Sequence, residues 1–313
     1  MDKSPFFSVV ITVYNKEDYI KETIQSVLDQ TFTDFELIIV DDYSTDNSRN
    51  IIKSYQTDAI TPIYNETNLG AGASRNVGVY YAKGNYIALL DGDDLYKPFF
   101  LEEIHLAISK YPNNPVFAMA AEKIKDEKIF KYSYSFPPSQ DRLLTLNYFE
   151  SSYQNTILTS SSTVIQKDFL LQLGGYDEGI KSGQDTDLWI RIGLQTSIIF
   201  DQKIGARIRF IENSLFNTTN TLKDKLIASK FKQEEERNPA LKKFMDLNRF
   251  SLVILGRLNH QYAQAKAIQK QIDPKNLTRK QRFLLRLPLS LLKISKRTKE
   301  FLDRQGWRFS SFK

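Results

Sequence analysis

The stretch Gly84–Pro98, GNYIALLDGDDLYKP, decides how this chain is read. Its apolar run, Tyr86 to Leu90, reads as a buried strand. It stops at Asp91 and is followed by Asp93 and Asp94. Three carboxylates within four residues each disfavour the ionisation of the next. Something positive is therefore expected beside them.

Upstream, SVVITV (Ser8–Val13) is a β-branched strand, and Asn15 is expected to cap a helix carrying Ile20, Ile24, Val27 and Leu28 at helical spacing. FELIIVDD is a second strand ending on Asp41 and Asp42, and STDNSRNIIKSY is a capped helix. A short strand is expected around Pro62–Tyr64. NLGAGASRNVGVYYAKG then has a Gly-rich entry to a helix with Ala73, Val77, Tyr80 and Tyr81 on one face. This alternation implies an α/β, Rossmann-like, mostly parallel sheet flanked by helices. In such sheets ligands bind beyond the carboxyl ends of the strands. That rule gathers Asp41, Asp42, Asp91 and Asp93 into one site.

Further along, strands are expected at Val116–Ala121, Phe130–Ser135 and Ser160–Ile165, and near Ile198–Phe200 and Ala206–Phe210. QDTDLWIRIGL is a short helix with Leu188, Trp189 and Ile192 on its apolar face. From Leu222 onward the pattern is long helices punctuated by Pro239, Pro274 and Pro288. The expected organisation is a nucleotide-binding catalytic domain over 1–215 and a helical extension over 216–313.

The chain has 313 residues, no cysteine and two histidines, His105 and His260. Thiolate chemistry and Cys-based metal sites are thereby excluded, and a His-rich zinc site and most Ser-His-Asp arrangements are disfavoured. The stretch MDKSPFFSVVITVYN does not read as a secretory signal and no apolar run nears the ~18 residues of a membrane span, so a cytoplasmic location is expected. Residues 1–215 hold 20 Lys and Arg against 29 Asp and Glu, whereas residues 216–313 hold 23 against 8. The two regions are expected to meet different partners.

Asp91 and Asp93, two apart with Gly92 between them, suit a hard divalent cation, Mn²⁺ or Mg²⁺, shared with substrate phosphates. Gly92 would permit a tight turn and the close approach of a ligand. An acidic turn capping the next helix is the structural alternative.

The motifs SVVITVYNKEDYI, FELIIVDDYSTDNS, NLGAGASRNVG, YIALLDGDDLY and GGYDEGIKSGQDTDLWIR occur in this order. The series closely resembles the family 2 glycosyltransferases, inverting enzymes of the GT-A fold, over roughly residues 6 to 215. The resemblance implies that Val13, Tyr14 and Asn15 line a nucleotide pocket and that Asp42 contacts the base. A carboxylate accepts from the N3–H of uracil, which favours UDP. Asn68, Gly70 and Gly72 would shape the approach to the diphosphate, and Arg75 would face it. Asp91 would meet ribose or metal, Asp93 would be the direct metal ligand, and Asp94 would orient its neighbours or cap the helix at Pro98. Asp185 would be the general base that deprotonates the acceptor hydroxyl.

Two departures stand out. Gln184 occupies a position that is often Glu, where it would still bond an acceptor hydroxyl. Ile211 stands where many members carry a His, leaving Arg207 or Arg209 to substitute on the phosphate side. Asp187 reads as a solvent-facing Asp of the first helical turn. The alternatives are a sugar-phosphate nucleotidyltransferase, which lacks its usual Gly-rich loop here, and a non-catalytic nucleotide-sugar-binding protein.

The resemblance points to a glycan or lipid-linked cell-envelope acceptor. Residues 275–313 hold 12 basic and 2 acidic residues, and Leu284, Leu287, Leu291 and Ile294 recur among Arg286, Lys293, Lys296 and Arg297. Trp307, Phe309 and Phe312 add aromatics. This pattern suits an anionic membrane surface and a peripheral position on the inner face of the cell membrane. Helices packed on the catalytic domain, or an oligomer contact, are the alternatives. No recognition motif supports nucleic acid.

Overall fold

The structure, a computed structural model, describes residues 4–55, 57, 59–125, 128–211, 222 and 230–304. At its centre is β1 (Phe7–Val13), buried at every position. It pairs in parallel with β2 (Phe35–Asp41) on one side and β4 (Tyr86–Asp91) on the other, and β3 (Ile60–Tyr64) extends the parallel half beyond β2. The register sets Val13 opposite Asp41 and Thr12 opposite Asp91. Three strands therefore end at one level, and this brings the carboxylates together.

Strand alternation sorts the core into two layers. Val9, Ile11 and Val13 join one cluster with Ile20, Ile24 and Val27 of α1 (Ile20–Leu28) and Phe100, Leu101 and Ile104 of α4 (Phe100–Lys110). Val10, Ile38, Val40, Ile87 and Leu89 join the other with Val79 of α3 (Ala71–Tyr81) and with Leu188, Trp189 and Ile192 of α7 (Gln184–Gln195). The short α2 (Ser48–Lys53) follows β2.

Beyond β4 the sheet becomes mixed. The remaining strands are β5 (Leu95–Tyr96), β6 (Val116–Lys125), β7 (Lys128–Lys131), β8 (Leu143–Leu146), β9 (Thr163–Gln166) and β10 (Ile198–Arg209). The order is β3-β2-β1-β4-β9-β6-β10-β5, with β7 on β6 and β8 on β10. β9 runs antiparallel to both β4 and β6, and β10 parallel to β6. Two short helices, α5 (Tyr148–Ser151) and α6 (Lys167–Gln172), complete this half.

Several local expectations change. Asn15 does not cap α1: its φ is 52°, Tyr19 is the N-cap, and the Asn15 Oδ1 accepts from the Thr45 amide at 2.8 Å. Tyr80 and Tyr81 are exposed, and α3 instead buries small residues, Arg75 and Val79. Gly78 explains this, since a Cβ there would lie 2.3 Å from Val10 Cγ1, so the helix closes directly on β1. Strand 130–135 ends at Lys131. Ser160–Ser162 is a single 3₁₀ turn before β9 rather than strand. The segments at Ile198–Phe200 and Ala206–Phe210 form one strand with register shifts between Asp201 and Ala206.

The division expected at 215/216 lies outside the described residues, as do Trp307, Phe309 and Phe312. The described part of the extension contains α8 (Lys232–Arg237), α9 (Pro239–Leu258), α10 (Tyr262–Gln269), α11 (Arg279–Arg286) and α12 (Leu289–Arg304). Phe231, Leu241, Phe244 and Met245 join the sheet's own core beside Tyr148 and Phe149. Leu222, Leu247, Phe250, Val253, Ala265, Ile272 and Leu277 form a smaller core of their own.

Between the helices lies Arg249, 1 % exposed. Its guanidinium donates to both Glu235 oxygens, at 2.6 and 2.5 Å, and to Asp246 Oδ1 at 3.2 Å. Asp246 also accepts from the Asp273 amide and the Asn276 side chain. Removing one partner of a buried ion pair strands the others in a poor solvent. Arg249→Ala is expected to cost about 3–5 kcal/mol, read as a lower urea midpoint with the slope unchanged.

Candidate active site

The carboxylate cluster is met by three separate devices. Arg75, 4 % exposed, donates from Nη2 to Asp91 Oδ1 at 2.6 Å and from Nη1 to Asp185 Oδ1 at 3.0 Å. Lys16 Nζ lies 2.6 Å from Asp93 Oδ2. Asp94 is buried, accepting from the Ser161 hydroxyl and, at 2.8 Å, from the Arg209 amide. Burial pushes the Asp94 carboxyl well above the usual carboxylate range, and Asp93 and Asp91 push it further. The cluster is thus eased by two cations and by a third carboxyl that favours its proton.

Asp185 sits in the first turn of α7, behind Gly183 with φ 92°. Its Oδ1 also accepts from the Ser160 hydroxyl at 3.1 Å. Burial raises the Asp185 carboxyl above its ordinary value; Arg75 pulls it down and Asp91 pushes it up. With a side chain 38 % exposed, it remains open to a ligand. A base with raised affinity for protons suits removal of a hydroxyl proton. For Arg75, burial works against the charge, but Asp185 and Asp91 outweigh it and hold the guanidinium ionised. The ring of Tyr176 lies 5.1 Å below it.

The other expected site residues fall into two groups. Val13 is buried, while Tyr14 and Tyr43 stand equally exposed after neighbouring strands. Asn15 belongs to a hydrogen-bonded seam joining the loops after β1 and β2, through Ser44, Thr45 and, via Glu17, Asp46 and Asn47. Asp42 is committed to the chain itself: its carboxylate accepts from the Leu69 and Gly70 amides, both at 2.8 Å, and from Asn65 at 2.9 Å. Asn68 donates to the Asp42 carbonyl at 3.1 Å. Gly70 adopts φ 88°, the left-handed region that glycine enters without strain, at the entry to α3.

Gly72 and Gln184 pack against each other, and Gln184 is buried. Three other expectations change. The close approach at Gly92 is made by the β1 backbone, since a Cβ would lie 2.9 Å from the Thr12 carbonyl oxygen. Asp187 is fully buried and paired with Arg191 at 2.8 Å and Lys230 at 2.6 Å. Arg207 is taken by Glu122 at 2.8 Å; Arg209 is paired with Glu22 and also reaches the Asp93 carbonyl at 3.1 Å. Arg209 thus joins Lys16 at the DGDD turn, and Ile211 lies just past the end of β10.

A pocket of about 430 Å³ opens beside Asp91 and Asp185. Tyr148, Tyr153, Trp189 and Phe244 give it aromatic walls, and Gln154, Asn155, Asn248 and Ser251 add polar groups. Phe244, Leu247, Asn248 and Ser251 come from α9, so the helical extension completes the pocket. A groove of about 510 Å³ on α10, lined by Arg257, Tyr262 and Lys266, is remote from these carboxylates in the chain. Among the described residues, no three acidic or His side chains converge into a metal cage.

A family model, Glycosyl transferase family 2, matches residues 8–174. The chain belongs to this family. An uncharacterized glycosyltransferase of Rickettsia typhi is 30 % identical over 69 % of this chain and 67 % of its own. A longer Rickettsia felis relative is matched over only 34 % of its length. A Bacillus subtilis protein named for teichuronic acid biosynthesis is 45 % identical over 32 % of this chain and 40 % of its own. The fold matches S. aureus TarS 1-349, solved in complex with UDP-GlcNAc, with TM-score 0.70 and 22 % identity over 97 % of this chain and 93 % of that one.

Lys16, Ser160, Ser161 and Tyr176 were not marked by the sequence reading. Lys16 follows the YN of the first motif and Tyr176 lies within the last, but no spacing tied either to a carboxylate. The serines read as strand. The Arg75–Asp185 bond yields a signed expectation. In Arg75→Gln the group that lowers the Asp185 carboxyl is gone, so its titration moves to higher pH. Carbon-detected NMR of the carboxyl reads the shift; an unmoved or lowered midpoint contradicts the pairing.

Proposed function

We propose that this family member transfers a sugar, with inversion, from a nucleoside diphosphate sugar to an acceptor hydroxyl seated in the aromatic pocket. The observation that carries the reading is that one buried arginine touches both Asp91 and Asp185, which puts the donor-side motif within one side chain of the base. UDP is the favoured nucleotide, supported by the fold shared with TarS, which was solved with UDP-GlcNAc and with UDP. A glycan or lipid-linked acceptor of the cell envelope fits the aromatic and amide-lined pocket, since sugar rings stack on aromatic faces and their hydroxyls bond to amides. The Bacillus subtilis relative agrees with that class.

Asp185 accepts the hydroxyl proton as the new glycosidic bond forms from the face opposite the departing nucleotide. Ser160 holds the carboxylate in place during the transfer. Arg75, permanently charged, stands buried between the donor-side carboxylate and the base, so it would act on the leaving diphosphate through its charge while its two terminal nitrogens hold Asp91 and Asp185. Lys16 and Arg209 add positive charge beside Asp93.

Asp91 and Asp93 fit a divalent cation, Mn²⁺ or Mg²⁺, only as a two-carboxylate site completed by donor phosphates. Burial raises Asp93 above its ordinary value, Lys16 pulls it down and the neighbouring Asp91 pushes it up. Such an ion would supply electrostatic stabilisation of the diphosphate.

Asp185→Asn is expected to lower turnover by about 10²–10⁴-fold, the usual worth of a general base, with UDP affinity retained by calorimetry. Turnover within a few-fold of the parent would end the assignment. Asp93→Asn is expected to abolish the part of UDP binding that depends on Mn²⁺. UDP binding equal with and without Mn²⁺ would remove the metal from the scheme, and GDP binding as tightly as UDP would remove the nucleotide preference.

A further inference from the structure

We propose that the α11–α12 elbow is a docking face for an anionic lipid bilayer. Residues 274–298 contain eight Lys and Arg and no Asp or Glu. Within the same segment Phe283 is 60 % exposed, Leu291 48 % and Ile294 57 %. Exposed cations are interleaved with them: Arg279, Arg286, Lys293 and Arg297. Up to residue 298, α12 buries only Leu292 and half-buries Leu289. A helix lying on an anionic interface needs this combination, with cations for the headgroups and large apolar side chains to enter the acyl boundary.

The face is built into the fold. Thr278 caps α11 with a reciprocal Gln281 bond. At the far end of α9, Arg257 donates to the Leu285 carbonyl at 2.7 Å and to the Leu287 carbonyl. These bonds take carbonyls that the last turn of α11 leaves without helical partners. The elbow at Pro288 is thus pinned to the helix that walls the pocket, and the exposed apolar residues sit on a positioned element.

Charge decides between occupants. A symmetric contact with a second copy of this chain would bring the nine cations of residues 279–304 against nine, with only Glu300 and Asp303 on each side to offset them. A soluble polyanion would satisfy the cations but leave Phe283, Leu291 and Ile294 in water. A bilayer of anionic lipid satisfies both. If the proposed transfer to a lipid-linked acceptor holds, the geometry gains a use. Ser251 on the pocket wall and Arg257 at the elbow are six residues apart on one helix, about 9 Å along its axis. The docking itself does not depend on that reading.

Flotation of the full chain with phosphatidylglycerol–phosphatidylcholine vesicles, against phosphatidylcholine alone, at 0.15 M salt tests the proposal. Binding is expected only to the anionic vesicles. Arg286→Gln/Lys293→Gln/Arg297→Gln is expected to weaken it about a hundredfold, at roughly fivefold per basic residue near the surface. Phe283→Ser/Leu291→Ser/Ile294→Ser is expected to weaken it at least tenfold. All six side chains are exposed, so melting temperature and UDP binding should be unchanged in both variants. Absence of binding to anionic vesicles overturns the proposal. So does equal binding to both vesicle types, or loss in the charge variant alone, which would mark a polyanion site. Self-association that the serine variant abolishes, seen by light scattering, would make the face a contact between copies and also overturn it.

Discussion

The site depends on one buried guanidinium. Arg75 has its charge fixed by two carboxylates that are 94 residues apart in sequence, Asp91 at the end of a central strand and Asp185 at the start of a helix. Buried between them, it cannot lose either partner cheaply. That pins α7 to the carboxyl edge of the sheet and sets where the base stands. Much of the nearby architecture supports this placement. Gly78 lets α3 lie against β1, Tyr176 floors the guanidinium, and Asp42 holds the loop that leads into α3.

A run of three aspartates is tolerated because their environments differ. Asp91 faces Arg75, Asp93 faces Lys16, and Asp94 turns inward to a serine hydroxyl and a backbone amide, where burial favours its neutral form. With a cation on each outer carboxylate and a buried carboxyl beneath that favours its proton, the cluster avoids a repulsive interior.

The helical extension belongs to the site as much as to the surface. One face of α9 enters the sheet's core through Phe244 and Met245 and walls the pocket through Asn248 and Ser251, and its end pins the basic elbow. A change in this segment would therefore be felt both at the pocket wall and at the outer face, with Arg249 and its acidic partners as the internal joint.

The sequence by itself determined the parallel half of the sheet, the strand-end position of the carboxylates and the family. Those features rest on local periodicity and short ordered motifs. Strand ends are local events, so Asp41, Asp42, Asp91 and Asp93 could be grouped before any contact was known, and the family resemblance of the ordered motifs added Arg75 and Asp185. Tertiary structure alone decided which partner each received. Asp42 went to the Leu69–Gly70 loop and Asp187 to Arg191 and Lys230, because a carboxylate bonds whichever donors the fold brings within about 3 Å, however distant in sequence. The same reason hid Lys16, Ser160 and Tyr176, and the turn of Ser160–Ser162 read as strand because β-branched neighbours dominate that window. The pocket wall from α9 was invisible too, since a helix shows its apolar stripe in sequence but not what the stripe will be packed against.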